Sequence, residues 1–230
     1  MGNLKDPINP ITGSGLGQAQ ITPVIFNISG TATTPSISGE NDSAGGIAIS
    51  GNSPKGVGIY GKSNNLAAQF DGKVQVNGDH YCSGTVHAKQ DVLLGSDCAE
   101  DFDIVTNGEI EPGTVMVLGR DGALQASQSP YDTKVAGVVS GAGDYKPGLI
   151  LGRTDSPLRR MPIALVGKVY CKVDAQYGPV EIGDLLTTSS TLGHAMRAVD
   201  QSKAFGAVLG KALRPLKTGQ GLVPILVTLQ

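Results

Sequence analysis

Gly108-Glu109-Ile110-Glu111-Pro112-Gly113-Thr114-Val115 returns 70 residues later as Gly178-Pro179-Val180-Glu181-Ile182-Gly183-Asp184-Leu185. The likeness continues: Ala123-Leu124-Gln125-Ala126 aligns with Ala195-Met196-Arg197-Ala198, Lys134-Val135-Ala136-Gly137-Val138-Val139 with Lys203-Ala204-Phe205-Gly206-Ala207-Val208, and Pro162-Ile163-Ala164-Leu165-Val166 with Pro224-Ile225-Leu226-Val227-Thr228. Offsets that drift between 62 and 72 residues put the insertions in loops. Residues 96–230 therefore read as two similar β-units packed as a pseudo-duplicated β-barrel or sandwich head.

Local chemistry agrees. Asp121-Gly122, between two apolar runs, is a hairpin signal, because glycine tolerates the positive φ such turns require. Glu111-Pro112-Gly113 reads as a turn that starts a strand. Residues 163 to 173, interrupted by Gly167, are long enough for a central strand with a bend. No segment keeps helical periodicity over three turns, so the expected class is all-β with at most one short helix. Aromatic residues make up 4% of the chain and Trp is absent, against 33 Gly and 13 Pro, which favours many short strands over a core built on aromatic anchors.

Working back from the head, Gly95-Ser96-Asp97-Cys98-Ala99-Glu100-Asp101-Phe102 is a joint. Before it the chain is thin and rich in Gly, Ser and Asn; after it come longer apolar strands. From Thr22 to Gly95 one pattern recurs: Ile28-Ser29-Gly30, Ile37-Ser38-Gly39, Ile49-Ser50-Gly51 and Ile59-Tyr60-Gly61. Spacings of 9, 12 and 10 residues are too short for a single chain to travel around a solenoid rung, which commonly takes about 20 residues or more. Three parallel copies contributing such segments would complete one rung, with Ile and Val turned to a shared axis. The expectation for 22–95 is thus an intertwined trimeric β-shaft resembling a triple β-helix. Residues 1–21, with Pro7, Pro10 and a Gly-rich run, read as an attachment or flexible segment.

The joint also carries the densest reactive cluster, one hydroxyl and three carboxylates within six residues. Ser96-Asp97-Cys98-Ala99-Glu100, placed after a repetitive shaft and before a β-rich domain, resembles the self-cleaving (peptidase G2-like) C-terminal chaperone domains of phage tail fibres and neck appendages. That resemblance implies a C-terminal domain that trimerises, guides folding of the shaft and is able to cut itself free. It implies a scissile bond between Ser96 and Asp97, with Glu100 assisting. Read chemically, the Ser96 hydroxyl is the candidate nucleophile and Asp97 or Glu100 the candidate base. In a trimer, Asp97, Glu100 and Asp101 would crowd the axis and raise one another's pKa. The competing reading makes Ser96 and Asp97 simply the turn that ends the shaft.

Other constellations are weaker. Cys171 and His194 suit a conventional hydrolase as nucleophile and base, but nothing in the sequence brings them together. The glycines of Ser140-Gly141-Ala142-Gly143-Asp144 lack the GK[ST] of a phosphate loop and read as turn residues. Threefold symmetry would make His80 and His87 rings of imidazoles, yet residues seven apart face opposite sides of a strand, so ordinary surface histidines are expected. Arg153, Arg159 and Arg160 read as a solvated loop. No metal site or cofactor is expected.

A formal net charge of −2 argues against a general nucleic-acid surface. No apolar run approaches the ~18 residues of a membrane helix, and no basic-then-apolar leader opens the chain. Together these point to a homotrimeric fibre or tip protein of a phage tail or phage-like particle, made in the cytoplasm without a signal peptide. Residues 1–21 would bind other particle proteins, and the head would set the trimer and contact a host-surface receptor or glycan. Self-cleavage at Ser96-Asp97 is the alternative, and a hydrolase the third reading.

Overall fold

A computed structural model describes Asp42, Ile47 and residues 49–105 and 108–228. The expected attachment segment and the first two copies of the Ile-Ser-Gly pattern lie outside the described residues. The chain divides into two compact units, Met1–Tyr81 and Cys82–Gln230.

Within the first unit the described residues hold no strand or helix. Ile49, Val57, Ile59, Phe70, Val74 and Val76 are all exposed. Successive copies of the pattern meet at glycines: a Cβ on Gly51 would lie 2.5 Å from the Gly58 carbonyl oxygen. The sequence pattern predicts short strands here, and in the single chain none form among the described residues. A strand of four or five residues with no paired neighbour is not stable in water.

The second unit is all-β in its regular structure apart from one turn of α-helix and two 3-10 turns. Its strands are β1 (Asp97–Asp103), β2 (Val115–Leu118), β3 (Leu124–Ala126), β4 (Val135–Val139), β5 (Pro147–Leu151), β6 (Arg160–Asp174), β7 (Leu185–Thr188), β8 (Ala195–Arg197), β9 (Val208–Ala212) and β10 (Gln220–Thr228), with α1 at Gln201–Ala204. Two rings of five strands share β6. In the first, β1, β6, β4, β2 and β3 pair in turn, and a parallel bridge from Ile104 to Leu124 closes the circle. In the second, β6, β10, β9, β7 and β8 do the same, closed by the parallel pairing of Val173 with Ala195.

Correspondence between the rings extends to single hydrogen bonds. Gly113 N–H donates to the Val139 carbonyl at 2.8 Å, and Gly183 N–H to the Ala212 carbonyl at 2.8 Å. Both glycines have positive φ, 92° and 87°. Each ladder slips at the same place, between Met116 and Val117 and between Leu186 and Thr187. The duplication inferred from sequence is therefore the architecture.

Two parts of the alignment need correction: Leu124, not Ala123, is the equivalent of Ala195, because Leu124 faces Leu118 where Ala195 faces Thr188. The partner of Val135–Val139 is Val208–Ala212, not the stretch beginning at Lys203, because Val135 faces Val117 where Val208 faces Thr187. Lys203 instead lies in α1, and Asp200, whose carboxylate accepts from the Ser202 N–H, caps that helix.

Burial explains the density of small apolar residues. Val115, Val138 and Ala164 join the core of the second ring, while their neighbours Met116, Val139 and Ile163 fill the first. Where these residues lie, β2, β4 and β6 are thus buried on both faces, which β-branched and short side chains satisfy. Gly167 bends β6 where it passes from one ring to the other, at φ 110°. Asp121 and Gly122, at φ 56° and 79°, form the expected hairpin turn.

Candidate functional site

The joint enters the head between β5 and the bend of β6. Asp97 is paired on one side with Pro147, in parallel, and on the other with Gly167. Ser96 N–H donates to the Lys146 carbonyl at 2.8 Å, and the Ser96 carbonyl accepts from Lys168 N–H at 2.9 Å. Ser96 is thus held on both sides, and the candidate scissile peptide is fastened through its carbonyl. Only glycine permits this approach: a Cβ on Gly167 would sit 2.7 Å from the Ser96 oxygen, and one on Gly95 would sit 2.1 Å from Gly148.

Asp97 points inward and is 5% exposed. Its Oδ2 accepts from the Ser140 hydroxyl at 2.8 Å, whereas Oδ1 is buried without a partner. Burial raises its pKa above the usual carboxylate value, and the Ser140 hydrogen bond offsets part of that rise. A carboxyl with a raised pKa directly after the Ser96 carbonyl is placed to donate or accept a proton there. An open apolar hollow of about 290 Å³ borders this joint, between Leu93, Cys98, Leu149 and Val166.

Glu100 is elsewhere. Burial along β1 alternates, with Asp97, Ala99 and Asp101 inward, so Glu100 lies on the opposite face and packs beside Gly152. The structure brings Ser140 to Asp97 and leaves Glu100 apart from both.

The remaining carboxylates find the basic cluster. Arg153 Nε is 3.0 Å from Asp101 Oδ2, and Arg160 Nε is 3.5 Å from Asp103 Oδ1. Arg160 also donates to the Asp101 carbonyl and the Thr154 hydroxyl, and Arg159 donates to the Ile110 carbonyl at 3.0 Å. Arg153 and Arg159 are exposed, as expected of a solvated loop, while Arg153 and Arg160 in addition pair with carboxylates of β1. Within one chain Asp101 is neutralised by an arginine partner.

Cys171 is fully buried, and desolvation pushes its thiol far above the ordinary cysteine value. A thiol sealed in the second core is not presented to a substrate as a thiolate. His194 Nδ1 lies 2.7 Å from the Leu192 carbonyl oxygen. The nucleophile–base pair therefore has no geometry to support it. His80 and His87 are exposed, and among the described residues no group of three or more His, Cys, Asp or Glu is placed to hold a metal ion. Among them, too, no helix is long and apolar enough to cross a membrane.

Sequence reasoning misses Ser140 and the arginine partners. Ser140 shows in the sequence only as the first residue of a glycine-rich turn, and nothing local ties it to a residue 43 positions earlier.

Fold and joint define a class: two five-stranded β-rings fused through one long strand, entered through a fastened Ser-Asp peptide. No protein-family model matches the chain, and no curated protein matches it. Among solved structures it is similar to the pre-mature gene product 12 of bacteriophage phi29, at 16% identity over 64% of this chain and TM-score 0.47. It spans only 24% of that protein's chain. It is also similar to the C-terminal fragment of phi29 gene product 12 (15% identity, 57% of this chain and 100% of that one, TM-score 0.38). The N base of the phi29 head fiber gp8.5 is a third (16% identity, 56% and 92%, TM-score 0.32). Likenesses this partial assign neither a site nor an activity, which leaves the chain's own geometry to carry the functional reading.

Proposed function

We propose that the chain is a homotrimeric structural fibre or tip protein of a phage tail or phage-like particle. The supporting observation is the contrast across the joint: the Ile, Val and Leu side chains of residues 49–94 are exposed, whereas the strands that follow enclose a buried core. Exposed apolar side chains in register call for a partner that covers them, and further copies of the same segment offer one. On this reading 22–95 is the intertwined shaft, 1–21 joins other particle proteins, and 96–230 sets the trimer register. Parallel pairing between distant segments forms slowly and slips easily, which is the reason for a folded head beside such a shaft. Native mass spectrometry tests it: the expected species has three times the chain mass, and a well-behaved monomer overturns the reading.

A second reading, self-cleavage between Ser96 and Asp97, is favoured by one feature, the buried and pKa-raised carboxyl of Asp97 against the fastened peptide. Denaturing mass spectrometry of freshly purified protein distinguishes it. A clip at Ser96-Asp97 in the wild type that disappears in Ser96→Ala and Asp97→Asn supports processing; intact wild-type chains remove it.

A further inference from the structure

The two rings share a ladder but end differently at equivalent mouths. In the second ring the mouth is filled by Asp174, which is 1% exposed. Its Oδ1 accepts from Gln176 N–H at 2.9 Å, and its Oδ2 accepts from the Thr191 hydroxyl at 2.8 Å, from Gln176 Nε2 at 2.6 Å and from Gln220 Nε2 at 2.9 Å. The Tyr177 hydroxyl, 3.1 Å from Thr191 Oγ1, completes a closed polar network. Both carboxylate oxygens of Asp174 are engaged, as are the amide nitrogens of Gln176 and Gln220 and the hydroxyls of Thr191 and Tyr177.

Ile104 and Val173 make equivalent bridges, so Val105 stands where Asp174 stands. Pairing of Ile163 and Ile225 with equivalent partners likewise places Leu158 opposite Gln220. The acid and the amide that close the second mouth are thus aliphatic in the first. In their place is an open cavity of about 750 Å³, within the range of small-molecule sites, roughly 300–1,000 Å³.

Its lining has a definite chemistry. Val105, Leu118 and Leu158 line it and are about half exposed, at 56%, 45% and 50%. Arg120, Asp121 and Gln125 also line it, and among the described residues their side chains have no hydrogen-bond or ion-pair partner. Two further charges are already answered. Asp103 is held by Arg160 and by the Ser156 hydroxyl at 3.0 Å, and Lys134 lies 3.8 Å from Asp132. The free groups left are one cation, one anion and one amide, a mixed set of donors and acceptors with no net charge. A phosphate or carboxylate ligand would meet Asp121 as well as Arg120. Hydroxyl groups donate and accept at once and suit all three, while aliphatic side chains cover the C–H faces of a sugar ring.

We propose that the mouth of the first ring is a binding site for an uncharged oligosaccharide. The proposal stands on the comparison of the rings and not on the fibre reading: a trimer that binds no saccharide removes this inference alone, and a monomer that binds one removes the fibre alone. The test applies the full chain to an array of neutral hexose, deoxyhexose and N-acetylhexosamine oligosaccharides, then titrates the best-retained glycan calorimetrically at low and high salt. Expected are saturable binding, little change with salt, and a loss of about tenfold or more in Arg120→Ala combined with Gln125→Ala, two side chains' worth of hydrogen bonds. Gln176→Ala, in the closed mouth, should leave affinity unchanged. Both variants are checked for a cooperative unfolding transition above the assay temperature, and Asp121→Asn, which keeps the turn residue's size, provides a second probe that should also weaken binding. Retention of no neutral glycan, binding that inorganic phosphate competes away, or full affinity in the double variant would overturn it.

Discussion

The first and second rings of the head repeat one ladder, down to paired glycines with positive φ and a bulge at the same step, yet they are finished differently. The second ring is sealed at its mouth by a buried aspartate with a full set of donors; the first is open there and carries unengaged polar side chains. Backbone pairing is a constraint on both copies, since a missed ladder bond in a buried strand costs stability. What lies at a ring's mouth is free of that constraint, so difference accumulates at the mouth and sameness in the ladder. Function is best sought where the copies part.

The strictest test of their sameness lies at Gly137 and Gly210, which occupy equivalent ladder positions. A Cβ would lie 2.5 Å from the Ala164 oxygen at the first and 2.2 Å from the Leu226 oxygen at the second. Valine at either position should cost more than about 4 kcal/mol, read as failure to fold or as early urea unfolding. A mild effect at one position alone would break the equivalence.

Next in size are Ile163→Ala and Ile225→Ala, both fully buried and each in its own ring's core. Each should cost about 2–5 kcal/mol. Because β6 belongs to both rings, either change should move one common urea transition. Two separated transitions would show that the rings unfold independently.

Asp174→Ala strands several donors of the closed mouth and should cost about 1–3 kcal/mol. Val105→Ala, at the matching place in the open mouth, should stay within roughly 0.5 kcal/mol. Urea midpoints compare the two directly, and equal costs would contradict the division into sealed and open mouths.

The smallest effect concerns pH. Burial raises the Asp97 pKa, so its protonated form favours the fold; stability is lost as pH rises from the unfolded value of about 3.9 through the raised folded value. At Asp174 burial also acts to raise the pKa, but hydrogen bonds from Gln176, Thr191 and Gln220 outweigh it. Its contribution is present above about pH 3.9 and is lost as pH falls through the depressed folded value. Asp97→Asn should flatten the decline on the alkaline side of pH 4, and Asp174→Asn the decline on the acid side, in melting temperatures taken across pH 2 to 7, roughly the span over which carboxylates titrate. The same slope in Asp97→Asn as in the wild type would mean that this carboxyl does not titrate abnormally.

Much of the head is legible in the sequence. Alternating β-branched residues closed by Gly and Pro specify short strands, and a repeated order of turns and strands specifies two copies, because both are local matters of side-chain shape and φ. The register of β4 against β9 is misleading for the same reason: Lys134 and Lys203 look alike along the chain, while pairing is decided by which carbonyl stands opposite. Ser96, Asp97 and Glu100 are visible as a cluster, but alternation along β1 sends Glu100 to the far face and brings Ser140, unrelated in sequence, to Asp97.

By itself the sequence determined an all-β head, its duplication, its hairpin turn at Asp121-Gly122 and the change of character at residue 95, since each depends on neighbours in the chain. Only the tertiary structure decided that one strand serves both rings, that Arg153 and Arg160 answer Asp101 and Asp103, that Cys171 is sealed away, and that one mouth is closed while its twin is open. Those outcomes depend on contacts between residues tens of positions apart, which the packing of the folded chain selects.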